Sequence, residues 1–274
     1  METATKIPQV DIESIIASKN PRLLRLLPKF LIRYIKKIIH QEEVNAFLRN
    51  NNEKMGLEFV QAVIAEFQIS ISSKGLEHIP DKGGVILASN HPLGGLDALA
   101  LMGEVQKVRK DQQFLVNDIL MALKNLGPVF VPINKHGRNR TDSLQKISDT
   151  YASEICTLIF PAGLVSRKQE GVIKDLPWQK SFISQAVKNN RQIVPVYIEA
   201  KNSKFFYNLA YWRKKLGIKA NIEMFFLVDE MYKQKKQAVT IYFGEPISPS
   251  TFTKEHSDSF WAEEVKKIVY SLKA

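Results

Sequence analysis

The sequence contains a single cysteine, Cys156, so it cannot form a disulfide bond within one chain. This favours a reducing compartment, and the surrounding apolar run EICTLIF predicts that Cys156 is a small buried hydrophobic residue. The five histidines are scattered along the chain and have no thiol partner beside them. We therefore predict no metal site and no bound metal cofactor.

Long apolar stretches are also missing. No run approaches the ~18 residues that a membrane-spanning helix requires. The first residues, METATKIPQVDIESII, contain early acidic side chains and no apolar core of a signal peptide. We expect a protein that lies in the cytosol or on a membrane surface without crossing the membrane.

Acidic residues are outnumbered, 28 against 39 basic ones, which leaves a formal net charge of +11. Such a surplus indicates an anionic partner, either nucleic acid, an anionic bilayer, or an acidic carrier or substrate. Nucleic-acid binding is the weakest of these, because no aromatic and basic recognition motif accompanies the charge. We predict no nucleic-acid partner.

The N-terminal part divides into a polar tail at 1–20 and an amphipathic helical region at 21–68. Within 21–39 the chain has basic residues and no acidic one. At 100° per residue, one helical face collects the apolar side chains of Leu24, Leu27, Leu31, Tyr34, Ile35 and Ile38. The opposite face collects Arg22, Arg25, Lys29, Arg33 and Lys36. Pro28 either kinks this helix or begins it.

Two interpretations of residues 21–39 remain open. The composition is typical of a helix that lies in the interface of an anionic bilayer. It is equally typical of a bundle helix that packs against a second amphipathic pattern at 52–67, and both can hold. The aromatic run FFYNLAYW at 205–212 either extends such a lipid-facing platform or belongs to the core.

The remainder, 69–274, alternates between short apolar runs and helical patterns, which predicts an α/β domain with a largely parallel central sheet flanked by helices. The predicted strands are GVILAS, QFLVN, PVFVPI, CTLIF, QIVPVYI and AVTIYFG. Helical patterns lie near 97–107, 118–126, 141–153, 177–189, 205–216 and 258–272. The stretch NIEMFFLVDEMYKQ favours a helix.

The segment ASNHPLGGLDALAL places His91 just beyond a predicted strand and Asp97 where the next helix begins. Ligands of such sheets bind at the carboxyl ends of the strands. His91 is suited to remove a proton, and a carboxylate can hold its other ring nitrogen. Gly94 and Gly95 would let the chain fold back between them. The alternative is that His91 is a turn residue and Asp97 simply caps the helix.

Three later stretches, GPVFVPI, FPAGLVSR and IVPV, also fall at strand ends or just beyond them. Together with the His–Asp segment, these stretches resemble the glycerolipid acyltransferase superfamily, whose conserved sequence blocks follow each other in this order. The resemblance covers roughly residues 70–247. The matching residues are Asn90, His91, Pro92, Asp97, Gly127, Val129, Phe130, Phe160, Pro161, Gly163, Val194, Pro195 and Val196.

Departures from the pattern narrow the resemblance. Members that act on glycerol phosphates have four residues between histidine and aspartate, and here there are five. Their third block carries a glutamate and an arginine where this chain has Ala162 and Val165. A phosphate needs fixed charged donors, so these losses argue against that acceptor. The chain looks like a bacterial, hemolysin-like branch that includes O-acyltransferases of ornithine and glycine lipids.

The resemblance implies direct transfer of an acyl group from acyl carrier protein or coenzyme A to a lyso-lipid hydroxyl, without a bound cofactor. His91 would be the base and Asp97 its partner. The acceptor would be a 3-hydroxyacyl amino acid, with lysophosphatidate as the alternative. The expected location is peripheral, on the cytoplasmic face of the inner membrane. The remaining predicted substrate-binding residues are Asn90, Gly94, Gly95, Lys135, Arg138, Gly163, Ser166 and Arg167.

Four of these residues are assigned to particular parts of the substrates, and each has an alternative role. Arg167 is the candidate for an anionic part of the substrate, and its alternative is a solvated loop charge. Lys135 and Arg138 are candidates for the phosphate of the acyl donor or for an acidic carrier, and their alternative is a solvated surface run. Ser166 either donates a hydrogen bond to the substrate or shapes the turn.

Overall fold

The computed structural model describes residues 10–117, 120–121, 123–133 and 140–273. The strands of its central sheet are β1 (Ser70–Lys74), β2 (Val85–Ser89), β3 (Gln112–Asn117), β4 (Phe130–Ile133), β5 (Cys156–Ile159), β8 (Gln192–Glu199) and β9 (Ala238–Phe243). A separate antiparallel pair consists of β6 (Arg167–Gln169) and β7 (Val172–Lys174).

The spatial order of the central sheet is β1-β9-β8-β2-β5-β3-β4. The five strands from β8 to β4 run parallel, whereas β9 is antiparallel to β8 and parallel to β1. This confirms the predicted α/β fold with a largely parallel sheet. Each of the six predicted strands is present, although β3 begins at Gln112, one residue before its predicted run, and β8 ends at Glu199, one residue after its own.

The helices are α1 (Ile12–Lys19), α2 (Pro21–Leu26), α3 (Lys29–Ile38), α4 (Gln41–Asn50), α5 (Gly56–Phe67), α6 (Gly95–Val105), α7 (Arg140–Ala152), α8 (Ser181–Lys188), α9 (Lys204–Lys215), α10 (Leu227–Lys233) and α11 (Asp258–Ser271). A 3-10 turn, Ile222–Phe226, leads into α10, in agreement with the predicted helical tendency there. Among the described residues, no helix combines the length and apolarity needed to cross a bilayer.

The sheet is covered on both faces, which explains why its central strands are continuous apolar runs. Every residue of β2 is buried. Leu87 belongs to the core layer that α5 and α6 complete, and its neighbour Ile86 belongs to the layer completed by α8 and α11. This alternation follows from the two-residue period of a strand. The paired ends of β2 and β5, where Ala88 lies opposite Ile159, define the edge from which the site is built.

The N-terminal region is more structured than the sequence indicated. The prediction of a polar tail at 1–20 does not hold for Ile12–Lys19, which forms α1. Asp11 is the N-cap of this helix, because its side chain accepts a hydrogen bond from the Glu13 amide. Residues 1–9 lie outside the described residues. The helical pair predicted for 21–68 is instead α2 to α5. Pro28 begins α3, since its carbonyl accepts the amides of the first turn.

Two further elements depart from the sequence analysis. Strand β1 has the sequence SISSK and alternates between exposed and half-buried residues, so a search for apolar runs does not detect it. The helix expected near 118–126 is represented in the described residues by a 3-10 turn, Lys124–Leu126, while 118, 119 and 122 are not described.

Candidate active site

His91 lies two residues beyond β2, at the carboxyl edge of the sheet. The chain is fixed there by Asn90, whose side-chain amide donates to the Ile198 carbonyl at 3.0 Å. The Ile198 amide in turn donates to Asn90 Oδ1 at 2.6 Å. Asn90 is buried and its polar groups are engaged by β8, so it anchors the loop to the sheet rather than facing a ligand.

His91 and Asp97 are in direct contact across the five intervening residues. His91 Nδ1 lies 2.9 Å from Asp97 Oδ2, and the same oxygen accepts the amides of Leu93 at 2.8 Å and Gly94 at 3.0 Å. The Asp97 side chain has no solvent exposure, whereas that of His91 is 16% exposed. Asp97 therefore holds both the imidazole and the turn that carries it.

The protonation state of the pair follows from this geometry. Burial raises the pKa of the Asp97 carboxyl, and the hydrogen bonds from His91, Leu93 and Gly94 oppose that rise. The carboxylate also sits in the first turn of α6, where the positive end of the helix dipole favours negative charge. An ionised Asp97 keeps the proton on His91 Nδ1. His91 Nε2 is then the basic nitrogen.

Gly94 makes the turn possible. Its φ of +103° lies in the region that favours glycine, and it caps α6. A Cβ at this position would also lie 3.3 Å from the Leu227 side chain. Gly95, which begins α6, is exposed, and a Cβ there would meet no atom within 4 Å.

The plane of the imidazole is fixed by Phe160, the first residue after β5. The two rings stack with centroids 4.0 Å apart at 17°. Phe160 packs in turn on Phe114 of β3, with centroids 4.8 Å apart. His91 is thus held at one edge by Asp97 and on one face by Phe160, which leaves little rotational freedom for the ring.

The backbone of His91 is held by Ser166 and Asp175. The Ser166 amide donates to the His91 carbonyl at 2.7 Å, and its hydroxyl donates to Asp175 Oδ1 at 2.5 Å. The same Asp175 oxygen accepts the His91 amide at 3.3 Å, and Trp178 Nε1 donates to the other at 3.0 Å. Asp175 is fully buried. Ser166 accordingly shapes the loop around the base, one of the two alternatives predicted for it.

Sequence reasoning missed Asp175, although a signal for its position exists. Glu170 and Gly171 link β6 to β7, and both have positive φ, as in a two-residue hairpin turn. This hairpin returns the chain so that Asp175 lies beside Ser166. Asn202, also missed, donates its side-chain amide to the Pro92 carbonyl at 3.2 Å and approaches the Leu93 carbonyl at 3.4 Å.

Arg167 takes part in a buried ionic cluster with Glu223 and Arg213. Its Nη2 lies 2.9 Å from Glu223 Oε1, while Arg213 Nε lies 2.8 Å from Glu223 Oε2 as an ion pair without hydrogen-bond alignment. Burial lowers the pKa of Arg167, and the Glu223 carboxylate opposes this. Two guanidinium groups share one fully buried carboxylate, so the cluster keeps a net positive charge. Arg167 is therefore not a solvated loop charge.

The other predicted residues fall in different surroundings. Gly163 has a φ of +65° in the turn after Phe160. Ala162 and Val165, which stand where the glycerol-phosphate enzymes carry charges, are buried in apolar packing. Lys135 and Arg138 lie outside the described residues, so their assignment stays a prediction.

The two adjacent glycines supply a matched test of this turn. We expect Gly94→Ala to lower the free energy of unfolding by about 1–3 kcal/mol, because alanine is strained at this φ and its Cβ crowds Leu227. Gly95→Ala should change stability by less than about 1 kcal/mol. Urea unfolding followed by circular dichroism measures both. Equal stability of the two variants would contradict the role assigned to Gly94.

Comparison with known proteins supports the resemblance seen in the sequence. A family model described as Acyltransferase matches residues 14–274. A lyso-glycine lipid O-acyltransferase of Bacteroides thetaiotaomicron is 43% identical over 265 residues, covering 96% of this chain and 97% of that protein. A protein of the same name from Phocaeicola vulgatus is 41% identical over 264 residues, covering 96% and 95%.

The fold is similar to that in the crystal structure of a 1-acyl-sn-glycerophosphate (LPA) acyltransferase, PlsC, from Thermotoga maritima, with a TM-score of 0.51 between the two. That protein is 19% identical, and the match covers 96% of this chain and 93% of that one, which shows a shared fold. The match of the family model and the identity to the two relatives confirm the predicted acyltransferase resemblance. The chain belongs to the acyltransferase family.

Proposed function

We propose that the protein transfers a fatty acyl group from an acyl thioester to the hydroxyl of a lyso-glycine lipid, a 3-hydroxyacyl glycine. The observation that carries this proposal is the His91–Asp97 pair at the carboxyl edge of the sheet, in which Asp97 is fully buried and His91 is partly exposed. The choice of glycine over ornithine is supported by the two relatives above 40% identity, both of which are named for that acceptor.

The chemistry follows from the free edge of the imidazole. His91 Nε2 removes the proton from the acceptor hydroxyl, and the oxygen attacks the thioester carbonyl. The new ester C–O bond forms as the C–S bond breaks, and the proton held by His91 passes to the departing thiolate. Asp97 stabilises the intervening imidazolium. All atoms come from the two substrates, so this sequence of steps requires no bound cofactor.

The start of α6 is suited to the negative charge that develops on the thioester oxygen. The helix begins at Gly95, close to His91 along the chain, and its amino end carries the positive end of the dipole. Gly95 has no side chain, and the space beside it is open. We assign Gly95 to substrate binding through its backbone amide, whereas Gly94, whose amide donates to Asp97, supports the site by shaping the turn.

The acceptor is expected to be anionic but not a phosphate. The Arg167–Glu223–Arg213 cluster retains a positive charge beside the catalytic loop, which favours a carboxylate such as that of glycine. Ala162 and Val165 supply no charged donors for a phosphate, which disfavours lysophosphatidate. In this proposal the positive charge of Arg167 attracts the carboxylate of the acceptor headgroup, and Gly163 and Ser166 shape the loop beside it.

Acyl carrier protein or coenzyme A would deliver the acyl chain. Both present it as a thioester at the end of a phosphopantetheine arm, so the reacting groups are the same. Lys135 and Arg138 are the proposed partners of the donor phosphate or of an acidic carrier. The run KHGRNR at 135–140 contains three basic residues, which is complementary to such an anionic donor.

We also propose peripheral binding to an anionic membrane, on the cytoplasmic face of the inner membrane, through residues 21–39. On α2 and α3, Leu26 is 79% exposed and Phe30 is 67% exposed, which is costly in water and favourable in a bilayer interface. Other residues of α3 pack on α1 and α4, and Ile38 is buried. The helix thus has one face in the protein and another available to lipid.

The acceptor is tested by supplying the purified protein with one acyl donor and, separately, lyso-glycine lipid, lyso-ornithine lipid and lysophosphatidate. We expect the largest kcat/KM with lyso-glycine lipid, because its single carboxylate suits the positive cluster. The measurement is formation of the diacylated product by mass spectrometry. A larger value with lysophosphatidate would refute the acceptor and leave acyl transfer intact.

Replacement of the base should abolish most activity without unfolding the protein. We expect His91→Ala to lower kcat by roughly 10²–10⁴-fold, the usual contribution of a general base. Asp97→Asn should also lower kcat, because a neutral amide cannot stabilise the imidazolium. His256→Ala, which removes an exposed histidine, is the control. Full activity of correctly folded His91→Ala protein would rule out the mechanism.

Membrane binding through 21–39 is tested by reversing Arg25, Lys29 and Arg33 to glutamate and measuring co-sedimentation with phosphatidylglycerol vesicles at low salt. We expect a large loss of binding, since each basic residue near an anionic surface contributes about 1 kcal/mol. A control with the same net charge reverses three exposed lysines elsewhere, Lys110, Lys188 and Lys254. Equal binding of the two triple variants would count against this segment.

A further inference from the structure

The basic surplus of this protein is confined to two segments. Residues 21–39 and residues 201–219 each contain six basic side chains and no acidic one. The other 236 residues contain 27 basic and 28 acidic side chains, so they are close to neutral. The first segment is the proposed membrane contact, and the second, which contains α9, shares its composition.

Helix α9 has one buried face and one exposed apolar face. Phe206, Tyr207 and Ala210 are buried against the protein. Trp212 and Leu216, four residues apart and therefore on the same side, are 53% and 72% exposed. Phe205, seven residues before Trp212, is 49% exposed on that side. Phe205 contacts the ring of Phe226 and Trp212 contacts that of Tyr211, yet both side chains remain about half exposed.

Basic side chains surround these apolar residues. Lys204 precedes Phe205, and Lys214 and Lys215 lie between Trp212 and Leu216. The Lys215 ammonium is 5.0 Å from the centre of the Trp212 ring. An interfacial surface combines these features, because the rings and aliphatic chains enter the acyl boundary while the ammonium groups stay among lipid phosphates.

The exposed face of α9 is continuous with the first basic segment. Arg213 joins α9 to Glu223 in the Ile222–Phe226 turn, and this turn packs against α3. Phe225 in the same turn is 56% exposed. Exposed apolar residues thus occur on three adjoining elements, of which α3 already belongs to the proposed membrane contact.

We propose that α9 and the Ile222–Phe226 turn form a second docking surface, which we call the α9 surface, for an anionic lipid bilayer. It is composed of Phe205, Trp212, Leu216 and Phe225 with Lys204 and Lys215. It extends the membrane binding proposed above and rests on it. Two contacts, unlike one helix, fix the orientation of the protein on the bilayer, with the loop of His91 beside the layer that holds the lyso-lipid.

A second copy of the chain fits this surface less well than a bilayer does. A symmetric contact would bring the same acid-free segment of each copy face to face, and like charges opposed across an interface are repulsive. An anionic bilayer is complementary to both the basic and the apolar side chains. Charge complementarity therefore selects the lipid surface.

The test uses the full chain and two matched double variants. Trp212→Ser with Leu216→Ser removes the apolar tip of the α9 surface, and Val187→Ser with Ile268→Ser removes exposed apolar residues from α8 and α11 as the control. The vesicles contain equal parts of phosphatidylglycerol and phosphatidylcholine. We expect the first variant to weaken vesicle binding on the order of tenfold or more, and the control to leave it unchanged.

Trp212 also serves as a direct probe of insertion. On addition of these vesicles, tryptophan emission of the wild-type protein should shift to shorter wavelength. Trp212→Phe should retain vesicle binding and lose most of this shift, because Trp178 is buried already and Trp261, which is half-buried, lies on α11 against Phe252. An unchanged shift in Trp212→Phe would overturn the proposal, since the indole would then lie outside the bilayer.

Two other results would overturn the α9 surface. One is that the Trp212 and Leu216 double variant binds vesicles as tightly as the wild-type protein, while the variant with reversed charges in 21–39 has lost vesicle binding. The other is a wild-type dimer, measured by ultracentrifugation without vesicles, that this double variant dissociates. Neither assay requires catalysis, so an inactive enzyme leaves the result valid. Conversely, if the protein does not bind vesicles through the α9 surface, acyl transfer to an acceptor dispersed in detergent would still be observed.

Discussion

The loop that carries His91 depends on one buried carboxylate oxygen. Asp97 Oδ2 accepts the imidazole of His91 and the amides of Leu93 and Gly94, so a single atom fixes the ring and closes the turn before α6. Burying a carboxylate is costly, and these donors, with the positive helix end, offset the cost. Loss of this negative charge would release the base and the backbone that carries it together.

Around that oxygen, the remaining contacts hold the loop from separate elements of the sheet. Asn90 attaches it to β8, Phe160 supports the ring from β5, and Asp175 with Ser166 fixes the His91 backbone. Asn202 holds the Pro92 carbonyl. A general base is effective only when its position is fixed relative to the reacting proton, and these contacts provide that rigidity.

Much of this arrangement could be predicted from sequence, because it follows local rules. Apolar runs predicted the central strands, and His91 with Asp97 was recognisable from residue type, spacing and flanking glycines. The partners Asp175 and Asn202 were not, because each contacts the loop of His91 over a long chain separation that no local pattern encodes. The same holds for Glu223, which contacts Arg167 across 56 residues of the chain. Strand β1 was missed because half of its side chains face away from the core.

The residues predicted to contact substrate show the same difference between what local sequence predicts and what only long-range contacts determine. Asn90, Ser166 and Arg167 were chosen because polar side chains at a strand end are suited to ligands. All three are close to His91 along the chain or through its loop contacts, but Ile198, Asp175 and Glu223 engage their polar groups. Residue type indicated where chemistry is concentrated, and only the three-dimensional structure shows which groups are already paired.

The Arg167–Glu223–Arg213 cluster has a consequence for how a lipid reaches the base. A hinge motion that swung α9 and its following turn away from the loop would carry Arg213 and Glu223 together but would separate the fully buried Glu223 carboxylate from Arg167, which is unfavourable for buried charges. A swinging lid is therefore disfavoured. In the proposed membrane-bound orientation, the acyl chains reach His91 laterally from the leaflet, past the exposed apolar residues of the α9 surface, while this ionic cluster remains intact.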